Sequence, residues 1–304
     1  MFKLGFDEIV DVNYIGKTEN PIKTNDLLDK ANAENVFTAS SDTELVLFLG
    51  IDMQVDFLED GALAVPGSNS DLERLLRWLY NNLLKITQFK LSQDTHGLYQ
   101  IFHAAWWMDS NGEQPAPFTA ITLQDLDDRK WIPLINPAGS RDYVANLELL
   151  GKKVLVIWPY HCLQGSAGYM IDNQLMNLAL FHSRVRRSRL SIMVKGTDPM
   201  SEMYGIFKPE YSTKNVIDIE SLNAIEKFDK IVISGQAKSH CVLESIAQIL
   251  EHYQASPAAI AKIFILEDTM SVIPTFESDA DATFEQFKSQ GVNLVTTETF
   301  TLGV

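Results

Sequence analysis

Cysteine is scarce in this chain, with two residues, Cys162 and Cys241, among 304. They are too few for a disulfide framework, so a reducing cytoplasm is the expected compartment. Positive charge is also in short supply. Twenty-five Lys+Arg face 40 Asp+Glu for a formal charge of −15, which repels phosphate backbones and anionic lipid and argues against nucleic acid or membrane as partners. No apolar run approaches the roughly 20 residues of a membrane span. The opening MFKLGFDEIVDVNY lacks the basic head, sustained apolar block and small-residue cleavage site of a secretory signal. Internal repeats and low-complexity segments are missing too. What is present is ordinary globular material, 46% hydrophobic and 21% charged, enough for a sizeable core.

Residues 1–43 are polar and weakly periodic, and read as a partly helical arm packed on the domain or on a neighbour. From residue 44 onward the pattern changes. LVLFLGID is a continuous apolar run ending in a charge, as expected of a strand buried on both faces. In the following GSNSDLERLLRWLYNNLLKI, Ser70 and Glu73 have capping-box spacing, and Leu72, Leu75, Leu76, Leu79 and Leu83 keep helical periodicity. ITQFKLSQD, KKVLVIWPYH, RLSIMVKG, DKIVISG, AKIFILEDT and NLVTTETF read as further strands, separated by helical segments such as DNQLMNLALFHSR and VLESIAQILEHY. Parallel strands need long crossovers that helices normally fill, so this alternation predicts an α/β fold with a doubly wound, mainly parallel sheet flanked by helices over 44–304. Residues 104–150, rich in Pro, Gly and aromatics, interrupt it as an irregular insertion of the kind that forms lids. In HSRVRRSR the cluster Arg184, Arg186, Arg187 and Arg189 reads first as a solvated turn or a salt-bridged contact, and second as a site for an anionic substrate.

Ligands of open α/β sheets bind beyond the carboxyl ends of the strands. The runs here end in reactive residue types: Asp52, Asp94 with His96, His161, Lys195, and Cys241. A lone cysteine is more often a small buried hydrophobe than a nucleophile. Cys241, however, stands at the start of the VLESIAQILEHY helix, where unpaired N–H groups favour a thiolate and lower its pKa. Asp52 and Lys195 are costly to bury singly, and pairing them with each other and the thiol reduces that cost. As a triad, Asp52 is the general base, Lys195 keeps it ionised and Cys241 attacks; the other reading is a structural ion pair. Asp94 and His96, two apart, with His161 and His103, offer oxygen and nitrogen donors that suit zinc, iron or manganese, or else are ordinary hydrogen-bonded side chains.

The motifs IDMQVDF, SQDTH, WPYHC, MVKGTDP and SGQAKSHCV, in that order, resemble those of the isochorismatase-like cysteine hydrolases, and within them the nicotinamidase branch. The resemblance runs from about Leu45 to the last helix. It implies a triad of Asp52, Lys195 and Cys241, a divalent metal, zinc foremost, on Asp94, His96 and His161, and His103 as a further ligand. It also implies a cis peptide between Gln236 and Ala237, with the N–H groups of Ala237 and Cys241 forming an oxyanion hole. Phe57, Trp158 and His240 correspond to pocket walls around an aromatic ring. At Lys238 and Ser239 the chain departs from the family's usual Thr and Asp. The activity implied is hydrolysis of a small carboxamide, foremost nicotinamide to nicotinate and ammonia, by a homo-oligomer. A ureido or carbamoyl substrate with the same triad, and a non-catalytic oligomeric binding protein, are the alternatives.

Overall fold

The protein is described from a computed structural model covering residues 2–151, 154–214 and 216–303. The polar arm carries helix α1 (Thr24–Ala31), which buries Leu27 and Ala31. Strand β1 (Val46–Ile51) is buried along its whole length, as its unbroken apolar run requires. Helix α2 (Ser68–Asn82) and strand β2 (Gln88–Asp94) follow. The next region holds short strands β3 (Trp107–Met108), β4 (Ala120–Ile121), β5 (Ile132–Pro133) and β6 (Leu155–Val156), with helices α3 (Leu123–Asp127) and α4 (Pro137–Leu149). The regular alternation resumes with α5 (Asn173–Arg186), β7 (Ser191–Lys195), α6 (Ile219–Ile225) and β8 (Lys230–Gly235). A π-helical turn, Lys238–Val242, leads into α7 (Leu243–Tyr253). The chain finishes with α8 (Pro257–Ile260), β9 (Ile263–Leu266), α9 (Glu277–Ser289) and β10 (Asn293–Val295).

Six strands form one parallel sheet in the order β10-β9-β8-β1-β2-β7. The period of two along each strand divides the core between its faces. Leu47, Leu49, Ile51, Ile231 and Ile233 point one way, into a cluster with Ile246 and Ile249 of α7 and with Trp106, Trp107 and Tyr143 of the 104–150 region. Val46, Phe48, Phe89 and Val232 point the other way, against the leucines of α2 and α5 and against Leu27 of the arm. From β1 the chain winds to β2 and β7 on one side, and to β8, β9 and β10 on the other. The winding therefore reverses beside β1, and the crevice at that reversal lies where Asp52, Asp94, Lys195 and Cys241 emerge.

Several local expectations change. The segment KKVLVIWPYH does not join the central sheet: Lys152 and Lys153 lie outside the described residues, and Leu155–Val156 pairs antiparallel with Ala120–Ile121. Beyond it Trp158 N–H donates to Phe102 O, and Pro159 has no N–H to continue a ladder. Region 104–150 is not irregular, since α4 alone runs 13 residues behind a cap in which Asn136 accepts from Gly139 N–H. Helix α2 begins at Ser68 after Gly67 (φ 87°), so Ser70 lies inside its first turn rather than capping it. The final strand is confined to Asn293–Val295. Of the arginine cluster, Arg186 is buried against Asp42 Oδ1 (2.5 Å) and Phe37 O (2.5 Å), near the amino end of β1 and away from the crevice, while Arg184, Arg187 and Arg189 are exposed. No helix among the described residues is long and apolar enough to cross a membrane.

Candidate active site

Asp52 follows β1 in a left-handed conformation (φ 47°) that turns its carboxyl back over the sheet. Ser92 of β2 holds it from two sides: Asp52 N–H donates to Ser92 Oγ (2.8 Å), and Ser92 Oγ donates to Asp52 Oδ1 (2.5 Å). Lys195, the last residue of β7, reaches across β2. Its Nζ lies 2.9 Å from Asp52 Oδ2 and 3.1 Å from Asp94 Oδ1, donates to Met203 O (2.8 Å), and stands 3.8 Å from Cys241 Sγ. The thiol is buried at the turn between β8 and α7, just after the cis peptide Gln236–Ala237. Three residues far apart in sequence thus meet at one rim of the sheet.

Burial acts on all of them. It disfavours the charged form of Lys195, but Asp52 and Asp94 outweigh it and hold the ammonium well above its usual pKa. Asp52 moves up, because desolvation exceeds the pull of Lys195, and this makes its carboxylate a stronger base than a surface aspartate. Cys241 departs from expectation: burial pushes its thiol well up, and Lys195 opposes that only in part. The resting group is a thiol with a base and an ammonium beside it.

Asp94, His96 and His161 each bring a ligand atom within 4.8 Å of the others, and all three are buried. Each imidazole turns Nδ1 to a backbone carbonyl, His96 to Gly196 O (3.0 Å) and His161 to Pro159 O (2.7 Å). A proton on Nδ1 leaves the Nε2 lone pairs facing Asp94 Oδ2, at 2.8 Å and 3.8 Å. Acceptors aimed at acceptors repel unless a cation lies among them, and one carboxylate with imidazoles so oriented is a donor set that fits zinc, iron or manganese. Burial lowers the pKa of His161 to about 3, which keeps its lone pair free. His103 adjoins the group, its ring centroid 6.0 Å from those of His96 and His161. Its Nδ1 faces Leu98 O (3.1 Å), and its buried Nε2 has no hydrogen-bond partner among the described residues. Gly196 (φ 73°) sits so close that a Cβ there would lie 2.4 Å from Asp94 Oδ1.

Asp94, His96, His161, Lys195 and Cys241 line one pocket with Phe57, Phe102, Trp158, Tyr204, His240, Ala237 and Ile273, enclosing about 460 Å³ of empty space, opening included, whereas Asp52 and His103 lie behind that lining. Phe57 packs edge-on to His161 (5.5 Å), and Trp158 stands at 89° to His240 (5.6 Å). Ser239 Oγ lies 2.9 Å from His240 Nδ1, whereas Lys238 turns away to Asp281 and the ring of Phe284. The arginine cluster contributes nothing to the lining. Glu202 does, and sequence reasoning missed it, as it missed Ser92 and Gln54. Gln54 accepts from Asp94 N–H (2.6 Å) and donates to Asp94 O (2.8 Å). Ser92 left no clear signal, because β2 reads QFKLSQD and a further polar residue beside Leu91 does not stand out. Glu202 left none, because a carboxylate in GTDPMSEMYG reads as a solvated loop.

The parallel sheet and its flanking helices form an α/β fold shared with solved nicotinamidase structures. Among solved structures, the chain is similar to a nicotinamidase/pyrazinamidase of Acinetobacter baumanii, with a TM-score of 0.57 and 18% identity over 85% of this chain and 99% of that one. It is also similar to the yeast nicotinamidase bound to the inhibitor nicotinaldehyde, with a TM-score of 0.58 and 17% identity over 83% and 100%. An L. infantum protein in complex with nicotinate gives 0.52 and 18% over 87% and 96%. No protein-family model matches the chain, and no curated protein matches it significantly.

Proposed function

We propose that the protein is a cysteine-dependent amidohydrolase acting on a small carboxamide, foremost nicotinamide. The observation that carries this reading is Lys195 Nζ, 2.9 Å from Asp52 and 3.8 Å from Cys241, in a pocket whose other wall holds Asp94, His96 and His161. Cys241 Sγ attacks the carbonyl carbon as Asp52 takes the thiol proton. The N–H groups of Ala237 and Cys241 receive the developing oxyanion. Asp52 then hands its proton to the departing nitrogen, the C–N bond breaks, and ammonia leaves a thioester. A water molecule, deprotonated by Asp52, attacks that thioester to give the acid, and the proton returns to the sulfur. Lys195 keeps Asp52 ionised between these transfers. Asp94, His96 and His161, with His103 beside them, would hold a divalent cation, zinc foremost, which when bound supplies a Lewis acid for a ring nitrogen or a water. Phe57, Trp158 and His240 confine a flat ring. Nicotinaldehyde and nicotinate, bound by the yeast and L. infantum proteins, are flat rings of this size.

The test measures ammonia released from nicotinamide and from benzamide, with and without chelation and zinc repletion. Nicotinamide should be preferred by a factor of roughly 10² or more, because benzamide lacks the ring nitrogen the site is built to bind. Equal turnover of both, indifferent to chelator, sinks the metal-anchored reading. Absence of turnover with either amide sinks the amidase reading itself.

A further inference from the structure

The pocket contains a carboxyl that the mechanism above does not use. Glu202 is 2% exposed and lines the cavity. Its Oε1 accepts from Tyr204 OH (2.6 Å) and from Trp158 Nε1 (3.1 Å), and that indole N–H also lies 3.2 Å from Tyr204 OH. Both rings are walls of the pocket, at 90° to each other and nearly edge-on to His240. On the far side Tyr143 of α4 donates to Glu202 Oε2 (3.4 Å) and accepts from Glu202 N–H (2.9 Å), tying the 104–150 region to the same carboxyl. The neighbouring Met203 O is the acceptor that holds Lys195 Nζ (2.8 Å). Three consecutive residues therefore connect the aromatic walls to the lysine.

We propose that Glu202 is a positioning residue: by accepting from both Trp158 and Tyr204 it locks two walls at a right angle and so sets the pocket's selectivity for flat ring carboxamides. It rests on the amidase reading for its substrate class, but not for its geometry. An aromatic ring turns easily about its side-chain bonds unless its polar edge is tied, and one acceptor shared by two donors ties two rings with a single group. The role needs an acceptor oxygen rather than a charge, so glutamine should replace glutamate where alanine fails.

The experiment compares wild type, E202Q, E202A, Y204F and E202A/Y204F, each checked for cooperative unfolding. Steady-state kinetics use nicotinamide and the aliphatic amide propionamide, and equilibrium binding uses nicotinate. E202A should raise KM for nicotinamide and Kd for nicotinate at least tenfold with kcat within threefold, and E202Q should stay within threefold of wild type in each. Propionamide, with no ring to grip, should change little. Y204F should shift KM in the same direction as E202A, and the double variant should add little, because both changes cut one connection. Equal loss of kcat in E202Q and E202A, an effect on both amides alike, or no effect on KM overturns the proposal. If wild type hydrolyses neither amide yet E202A still weakens nicotinate binding tenfold, the amidase reading falls and the positioning role stands. If wild type neither binds nicotinate nor hydrolyses nicotinamide, both fall. Should E202A unfold, Y204F and E202Q carry the decision.

Discussion

Lys195 Nζ stands between the carboxylates of Asp52 and Asp94, and its side chain is 1% exposed. Removing one partner of a buried ion pair leaves the other charge uncompensated, which typically costs about 3–5 kcal/mol. K195M keeps most of the volume, so its loss should be electrostatic: urea unfolding should show destabilisation of that order, and amide hydrolysis should disappear. C241A removes only a small buried group whose charged form burial already disfavours. It should unfold within about 1–2 kcal/mol of wild type, yet lose at least about 10³ in kcat. A variant that keeps its activity, or a K195M protein as stable as wild type, would contradict the arrangement. Asp52, Lys195 and Cys241 were legible because charged or nucleophilic residues at the ends of apolar strands are conspicuous. Glu202 was not, since its burial comes from Tyr143, Trp158 and Tyr204, contributed by distant segments.

Helix α5 holds the arm by polar side chains rather than by apolar contact alone. Asp172 caps it, accepting from Gln174 N–H (2.8 Å) and Leu175 N–H (3.1 Å), and its other oxygen accepts from Gly16 N–H (2.8 Å). Asn173 Nδ2 donates to the carbonyls of Lys17 (3.1 Å) and Thr18 (3.0 Å). Burial pushes the Asp172 carboxyl up to about 6, against these donors. A carboxyl whose folded pKa exceeds its unfolded value binds its proton more tightly when folded, so its contribution favours folding as pH falls and is lost as pH rises through about 6. D172N lacks that titration and turns an amide donor or its oxygen toward N–H groups it cannot all satisfy. Between pH 7 and pH 5 wild type should therefore gain on the order of 1 kcal/mol relative to D172N in urea unfolding. A constant difference would refute the assignment. At this scale the strand and helix alternation was readable from periodicity. The fate of KKVLVIWPYH was not, because two competing partners, the central sheet and Ala120–Ile121, look alike to an apolar run.

Across the whole molecule, fold topology singles out one place. Winding in both directions from β1 makes a single crevice, and that much follows from counting βα units; strand order and the depth of the pocket follow from packing that no local pattern encodes. Within the crevice Asp94 divides its oxygens, Oδ1 3.1 Å from Lys195 Nζ and Oδ2 2.8 Å from His96 Nε2. One carboxyl thus belongs to both the buried ion pair with Lys195 and the proposed cation site, and a cation bound there must report on the stability of the entire fold. At a thousandfold excess over Kd, binding to the folded state alone contributes about 4 kcal/mol, which for a chain of this size corresponds to a Tm rise on the order of 10 °C. Chelator-treated protein titrated with zinc should show that rise by calorimetry. Magnesium, which prefers an all-oxygen shell, should give little. H161A should abolish most of the zinc response while leaving the chelated protein's Tm within a few degrees of wild type, because an imidazole held neutral by burial contributes no ion pair. An equal response in H161A would place the metal elsewhere, and none with zinc, iron or manganese would mean that the acceptors around Asp94 face one another without a cation.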